Sequence, residues 1–259
     1  MTGGDRPGRR AVAATRHAAL EIVVQGAAGA RAAMAAGADR LELCCDLGVG
    51  GLTPSAGTVD AVLEAVEGRP DTVHALVRPR PGGYVYDNGE VESMCRDIRA
   101  LKAQGVHGVV VGALSPARTI DLLALDRLVQ AADGLTVTFH RAIDNSADPL
   151  GQLALLEGTG IARILTSGGA ARTIDGLSVL EAMVRERPAS IQVMAGGGVR
   201  IADIAGLVQA GVDAVHLSAK VTVMDANPAA PGGVVQEVDF TSPDLVARAE
   251  REIALARPA

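Results

Sequence analysis

Aromatic side chains are nearly missing from this chain. Its 259 residues include no Trp, two Tyr (Tyr84 and Tyr86) and two Phe (Phe139 and Phe240). The interior must therefore be filled by Val, Ile, Leu and Ala, which suits strands enclosed between a barrel interior and a ring of helices. Cysteine is scarce as well. Cys44, Cys45 and Cys95 are too few for a disulfide framework, which implies a reducing, cytoplasmic setting. Positive charge is not in excess: 24 Lys and Arg face 30 Asp and Glu, for a net charge of −6. That balance argues against nucleic acid or an anionic membrane as partner. No apolar run is long enough to span a bilayer. The first 18 residues lack the apolar centre of a signal peptide and read as a disordered tail.

What is present is a regular alternation. Apolar runs over residues 19–24, 39–45, 72–78, 108–112, 135–140, 163–167, 191–195 and 213–218 read as strands. Helical stretches follow over 27–36, 55–67, 89–104, 120–131, 148–158, 173–187, 200–210 and 242–256. Eight such units in about 250 residues predict a single-domain α/β protein, a (β/α)8 TIM barrel over residues 19–259. A doubly wound open sheet is the alternative. Residues 219–240, with Asn227-Pro228 and Pro231-Gly232-Gly233, read as a long irregular connection.

The stretch from Leu135 to Asp144 shows how strands would serve a site. Leu135, Val137 and Phe139 alternate with Thr136, Thr138 and His140, and Arg141 and Asp144 follow where the apolar run stops. Because active sites of such barrels lie at C-terminal strand ends, parity matters. If Leu20, Ile22, Val24, Leu41, Leu43, Val73, Ala75 and Val77 face the helices, then Glu21, Glu42, Arg78, His140 and His216 face inward. Charges inside a barrel are costly unless paired or functional. Glu21 or Glu42 with His140 and His216 could supply acid–base groups, with Asp144 beside them. His74 enters lower in its strand and reads as a core histidine, while His17 and His107 read as surface residues.

Two rim segments look directed at an anion. Gly196-Gly197-Gly198 follows the seventh strand and opens a helix, so its N–H groups could meet a phosphate. Lys220, just past the eighth strand, and Arg141 could add charge. The segment from Arg78 to Tyr84 reads either as a basic lid or as an ordinary loop. Cys44 is the inward thiol that could join His140 or His216 as a metal ligand, since Cys45 points the other way. Cys95 reads as helix packing.

The chain closely resembles the CutC family, the so-called copper homeostasis proteins. The matching segments are 37–44, 50–55, Arg78-Pro79-Arg80, 137–144, 165–168, 194–199 and 216–219, which together span nearly the whole barrel. The resemblance implies a (β/α)8 barrel, a cytoplasmic location, homodimers or homotetramers, and copper(I) as the bound ion. Family members often carry Cys after the Glu of the first strand, where this chain has Val23 and Val24. Copper(I) prefers thiolate and thioether ligands, so Cys44 with His140 or His216 is the ligand set the resemblance leaves. Two functions follow: a Cu(I)-handling protein, or an enzyme acting on a small anionic, phosphorylated or sugar-like substrate.

Overall fold

The computed structural model describes residues 18–66, 69–225 and 237–256. The expected tail falls on residues 1–18, nearly all of it outside the described residues, and so does His17. Eight parallel strands close into a barrel in simple chain order. They are β1 (Ala19–Val24), β2 (Arg40–Leu43), β3 (Val73–Leu76), β4 (Gly108–Val111), β5 (Thr136–Phe139), β6 (Arg163–Thr166), β7 (Gln192–Gly196) and β8 (Ala214–Leu217). β8 pairs with β1 and shuts the ring. The helices are α1 (Ala27–Ala35), α2 (Ala56–Ala65), α3 (Asn88–Gln104), α4 (Leu122–Ala132), α5 (Pro149–Leu153), α6 (Leu177–Glu186), α7 (Ile204–Gln209) and α8 (Pro243–Leu255).

Local chemistry sets the helix ends. Ser55 accepts from the Thr58 N–H to cap α2, and Asp87 and Glu90 form a reciprocal capping box on α3. Asp121 caps α4, whose buried Ala124, Leu125, Leu128, Ala131 and Ala132 recur at helical spacing. The main core lies between strands and helices and contains Leu20, Ile22, Val24, Leu41, Leu43, Val73, Ala75 and Val77. These are the residues expected to face the helices. Leu41 and Leu43 are fully buried, each worth about 1.5–3 kcal/mol of transfer free energy. Among the described residues two small apolar clusters lie inside the ring: Val23, Cys44, Leu76 and Val110, and then Leu165, Met194 and Ala214. Many of the remaining inward positions are polar, and this is what makes a site.

Several expectations are corrected. The helix expected over 200–210 is a short 3-10 turn, Ile201–Asp203, followed by the six-residue α7. α5 is likewise five residues, continued by a 3-10 turn. The connection expected to be irregular contains β9 (Lys220–Met224) and β10 (Glu237–Thr241), an antiparallel pair, with residues 226–236 outside the described residues. Its alternating Val221, Val223, Val238 and Phe240 are a strand pattern that the flanking Pro and Gly residues concealed.

Candidate functional site

Glu21 is the hub of the barrel interior. Register places it level with Arg40 on β2 and His216 on β8. Arg40 Nε donates to Glu21 Oε2, and His216 Nδ1 donates to Glu21 Oε1 at 2.7 Å. Both carboxylate oxygens are thus engaged. Burial alone would raise the Glu21 carboxyl; the Arg40 guanidinium and the His216 contact instead hold it well below the usual carboxylate range. Arg40 also points Nη2 at the Met194 sulfur, 3.4 Å away. Below this layer, buried Arg163 donates to Thr138 Oγ1 and Gln192. His74, 0% exposed, holds Asp71 through Nε2 at 3.3 Å, and its Nδ1 has no partner. Burial brings its pKa down to about 4.

Above the hub, the mouth opens into a cavity of about 340 Å³ lined by Val23, Glu42, Arg78, Tyr84, His140, Arg141, Gly197, Gly198 and His216 among others. Glu42 Oε2 is buried without a hydrogen-bond partner and lies 3.9 Å from His216 Nδ1. Burial pushes the Glu42 carboxyl up to about 7; His216 and Arg40 pull it down, and the Glu21 charge adds to the rise. His216 is a balance of the same forces. Burial would lower it, but Glu42 and Glu21 outweigh burial and raise it. Donor atoms of Glu21, Glu42 and His216 lie within 4.8 Å of one another, a grouping able to hold a metal ion.

His140 takes a different state. Its Nδ1 accepts from the Ala142 N–H at 3.1 Å, so the neutral ring carries its proton on Nε2, and Nε2 has no partner. Burial, with the Arg78 and Arg141 charges, lowers its pKa to about 3. Gly112 makes room for the ring, since a Cβ there would run into His140. Tyr84 lies against it with centroids 4.8 Å apart. The Arg78 guanidinium sits 5.3 Å over the same Tyr84 ring. Arg78 donates to the carbonyls of Val49, Gly51 and Gly82, which ties two loops together. Arg80 bonds Glu90 and the carbonyls of Gly83 and Val85. These bonds hold the segment against the mouth as an ordered loop. Tyr86 behind it has a buried hydroxyl, raised to about 12 by burial against the pull of Arg78.

The structure brings Glu21, Glu42, Arg78, His140 and His216 into one barrel interior and leaves other expected residues elsewhere. Asp144 is an anchor: it accepts from Arg141, Thr166 Oγ1 and Ser167, with its side chain 5% exposed. It therefore orients Arg141 and does not line the cavity. Lys220 is in β9, bonded to Asp239 at 2.6 Å, and borders a second cavity near the start of α1. It is corrected from an anion ligand to a hairpin clamp. Gly197 and Gly198 line the cavity, but with φ of 115° and 64° they precede a 3-10 turn. The expected helix dipole is too short to contribute. Gly196 ends β7, where a Cβ would strike Leu165 and crowd His216, so its smallness makes space for both. The ligand set Cys44, His140 and His216 is not assembled. Cys44 is 0% exposed among Val23, Leu76 and Val110, and burial, with the Glu42 charge adding, pushes its thiol far up. Cys45 is half-buried, its thiol facing the Thr53 carbonyl, and Cys95 packs in α3 as expected. His107 is not a bare surface residue; it accepts the Val73 N–H through Nδ1. Arg40 and Arg163 were missed, although both lie one alternation step below an inward residue, Glu42 and Leu165. Ser167 was missed as well, although it lies one alternation step above Leu165.

Parallel eight-fold closure with polar side chains gathered at the carboxyl ends of the strands defines a (β/α)8 barrel with a ligand-sized cavity at its mouth. Residues 18–221 match the model of the CutC family. The chain is 43% identical over 203 residues to the family protein CutC of Xanthomonas campestris pv. campestris (strain 8004), covering 78% of this chain and 83% of that one. It is 39% identical over 239 residues to that of Caulobacter vibrioides (strain NA1000 / CB15N), covering 90% and 96%. This chain belongs to the CutC family. A crystal structure of CutC from Streptococcus agalactiae, named provisionally as a copper homeostasis protein, superposes with a TM-score of 0.71 at 28% identity, covering 77% of this chain and 97% of that chain. Thiamine phosphate pyrophosphorylase from Pyrococcus furiosus shares the fold alone, at a TM-score of 0.60 and 13% identity over 94% of this chain and 98% of that one.

Proposed function

We propose that this chain handles copper at the barrel mouth through oxygen and nitrogen ligands, holding the ion in its divalent state. The observation that carries the reading is the donor group of Glu21, Glu42 and His216, in which Glu42 Oε2 is buried without a partner. Glu42 Oε2 has no hydrogen-bond partner among the described residues, and a divalent ion bound there would displace the proton that His216 holds and give both groups a partner. Carboxylate and imidazole suit Cu(II), which binds such sites more tightly than other first-row divalent ions. Cu(I) would need soft ligands. Cys44 is shut in an apolar cluster, and Val23 stands where relatives often carry a thiol. Copper itself comes from the name given to the Streptococcus agalactiae relative. On this reading the chain works in the cytoplasm, as its three unpaired cysteines suit, and as a homodimer or homotetramer. Calorimetric and paramagnetic-resonance titration with Cu(II) tests the site. Wild type should take one ion, Glu42→Gln should bind at least about tenfold more weakly, and Cys44→Ser should bind as wild type does. Copper bound as Cu(I) in a manner lost with Cys44 would overturn the reading.

A second reading draws on the Glu42 carboxyl near 7, poised to exchange a proton at neutral pH. With His216 beside it, the cavity would act as an acid–base enzyme site for a small anionic or sugar-like substrate. Proton exchange from sugar phosphates into heavy water, followed by NMR with wild type and Glu42→Gln, tests it. Absence of exchange in wild type across such a panel argues against the enzyme.

A further inference from the structure

We propose that the barrel-mouth cavity contains a subsite for the carboxylate of a small organic acid, formed by the Arg78 guanidinium and the Nε2–H of His140. The proposal rests on the reading of this cavity as the ligand site, and names what binds there beside the ion.

Arg78 is 6% exposed, yet its partners are all neutral. Nη1 donates to the Val49 and Gly51 carbonyls at 3.0 and 3.1 Å, Nη2 to the Gly82 carbonyl at 2.8 Å, and the Tyr84 ring lies beneath. Nε has no acceptor. Among the described residues no carboxylate pairs with Arg78, whereas Arg40 has Glu21 and Arg141 has Asp144. A buried cation without a counter-charge is costly, and a bound anion removes the cost. His140 is 5% exposed and keeps an N–H that no described residue accepts. Both side chains line the cavity and both pack on the Tyr84 ring, which places them on one wall of it.

The count of donors selects the ligand class. Three of the five Arg78 N–H groups are held by backbone carbonyls, which leaves Nε–H and one Nη2–H. What remains is one unpaired positive charge and three N–H groups, two on Arg78 and one on His140, at the ends of different strands. A carboxylate has one negative charge and two oxygens, each able to accept one of these bonds. A phosphate dianion would bring a second charge and more lone pairs than the subsite can meet. Glu42 and His216 line the same cavity, so the remainder of a hydroxy acid would meet them or their ion.

The test uses the metal-free full chain with glycolate and inorganic phosphate as probes, followed by ligand-observed NMR and mutual competition. Glycolate should bind at millimolar concentration, and phosphate should bind at least about tenfold more weakly. His140→Phe keeps a ring against Tyr84 but removes the N–H and should weaken glycolate by about tenfold or more. His140→Gln, which restores a donor, should recover most of that loss. Phosphate binding as tightly as glycolate overturns the proposal without any variant. So does glycolate binding unchanged in His140→Phe, or no glycolate binding by wild type. Copper titration of the same protein separates the two readings. Glycolate binding by a protein that takes up no Cu(II) in its own titration refutes only the copper site, and Cu(II) uptake by a protein that binds no glycolate refutes only the subsite.

Discussion

Removing the Arg40 guanidinium tests the account of the barrel interior most directly. Arg40 and Glu21 side chains are 8% and 1% exposed, and Arg40 holds one of the two Glu21 oxygens. Arg40→Met keeps the stem and deletes the charge. Glu21 is then left ionised with His216 alone, or protonated against its environment. Breaking one side of a buried ion pair costs about 3–5 kcal/mol, because the partner's desolvation is no longer offset. Glu21→Gln breaks the pair from the other side and leaves Arg40 beside Arg163, the neighbour whose own pKa burial and the Arg40 charge bring to about 10. The double variant removes both charges, so its cost should fall short of the sum by about 2–3 kcal/mol. Urea unfolding of the four proteins at neutral pH measures this, read at constant m so that midpoints report stability. Arg40→Met should also melt lower by roughly 6 °C or more. Single costs below about 1 kcal/mol, or strict additivity in the double variant, would refute the claim that this pair organises the interior.

Three further outcomes follow from other parts of the molecule. His74 titrates near 4 in the fold against about 6.5 in the unfolded chain. A depressed pKa gives stability above the unfolded value that is lost as pH falls toward the folded one. His74→Phe should therefore flatten the pH dependence of unfolding between pH 6.5 and 5 by about 1.4 kcal/mol per unit, and an unchanged slope contradicts the assignment. Thiol labelling in the native state should modify half-buried Cys45 first and spare Cys44 until unfolding; early loss of Cys44 would mean its apolar cluster opens readily. Gly197→Ala should cost about 1–3 kcal/mol, because φ is 115° and the new Cβ would stand 2.6 Å from the Arg141 guanidinium carbon. A neutral result would show that Arg141 does not lie over Gly197.

The sequence by itself determined the class of fold and the inward set. Alternation of period two in β1, β2 and β3 separates Leu20, Ile22, Leu41, Leu43 and Val73 from Glu21, Glu42 and His74, and no other pairing buries the first set against helices. The same step carried one residue lower would have found Arg40 and Arg163. Segment motifs also identified the family. Tertiary structure decided what each polar residue does. Asp144 and Arg141 are three residues apart, but only the approach of Thr166 and Ser167 turns Asp144 into an anchor. Lys220 left the mouth because β10, nearly twenty residues on, brings Asp239 to it. His140 and His216 are both inward imidazoles in sequence. One is neutral because it is buried beside the Arg78 charge and accepts from Ala142, while the other is raised because two carboxylates outweigh its burial. Charge state depends on distance and desolvation in three dimensions, and strand parity reports only which face a side chain is on.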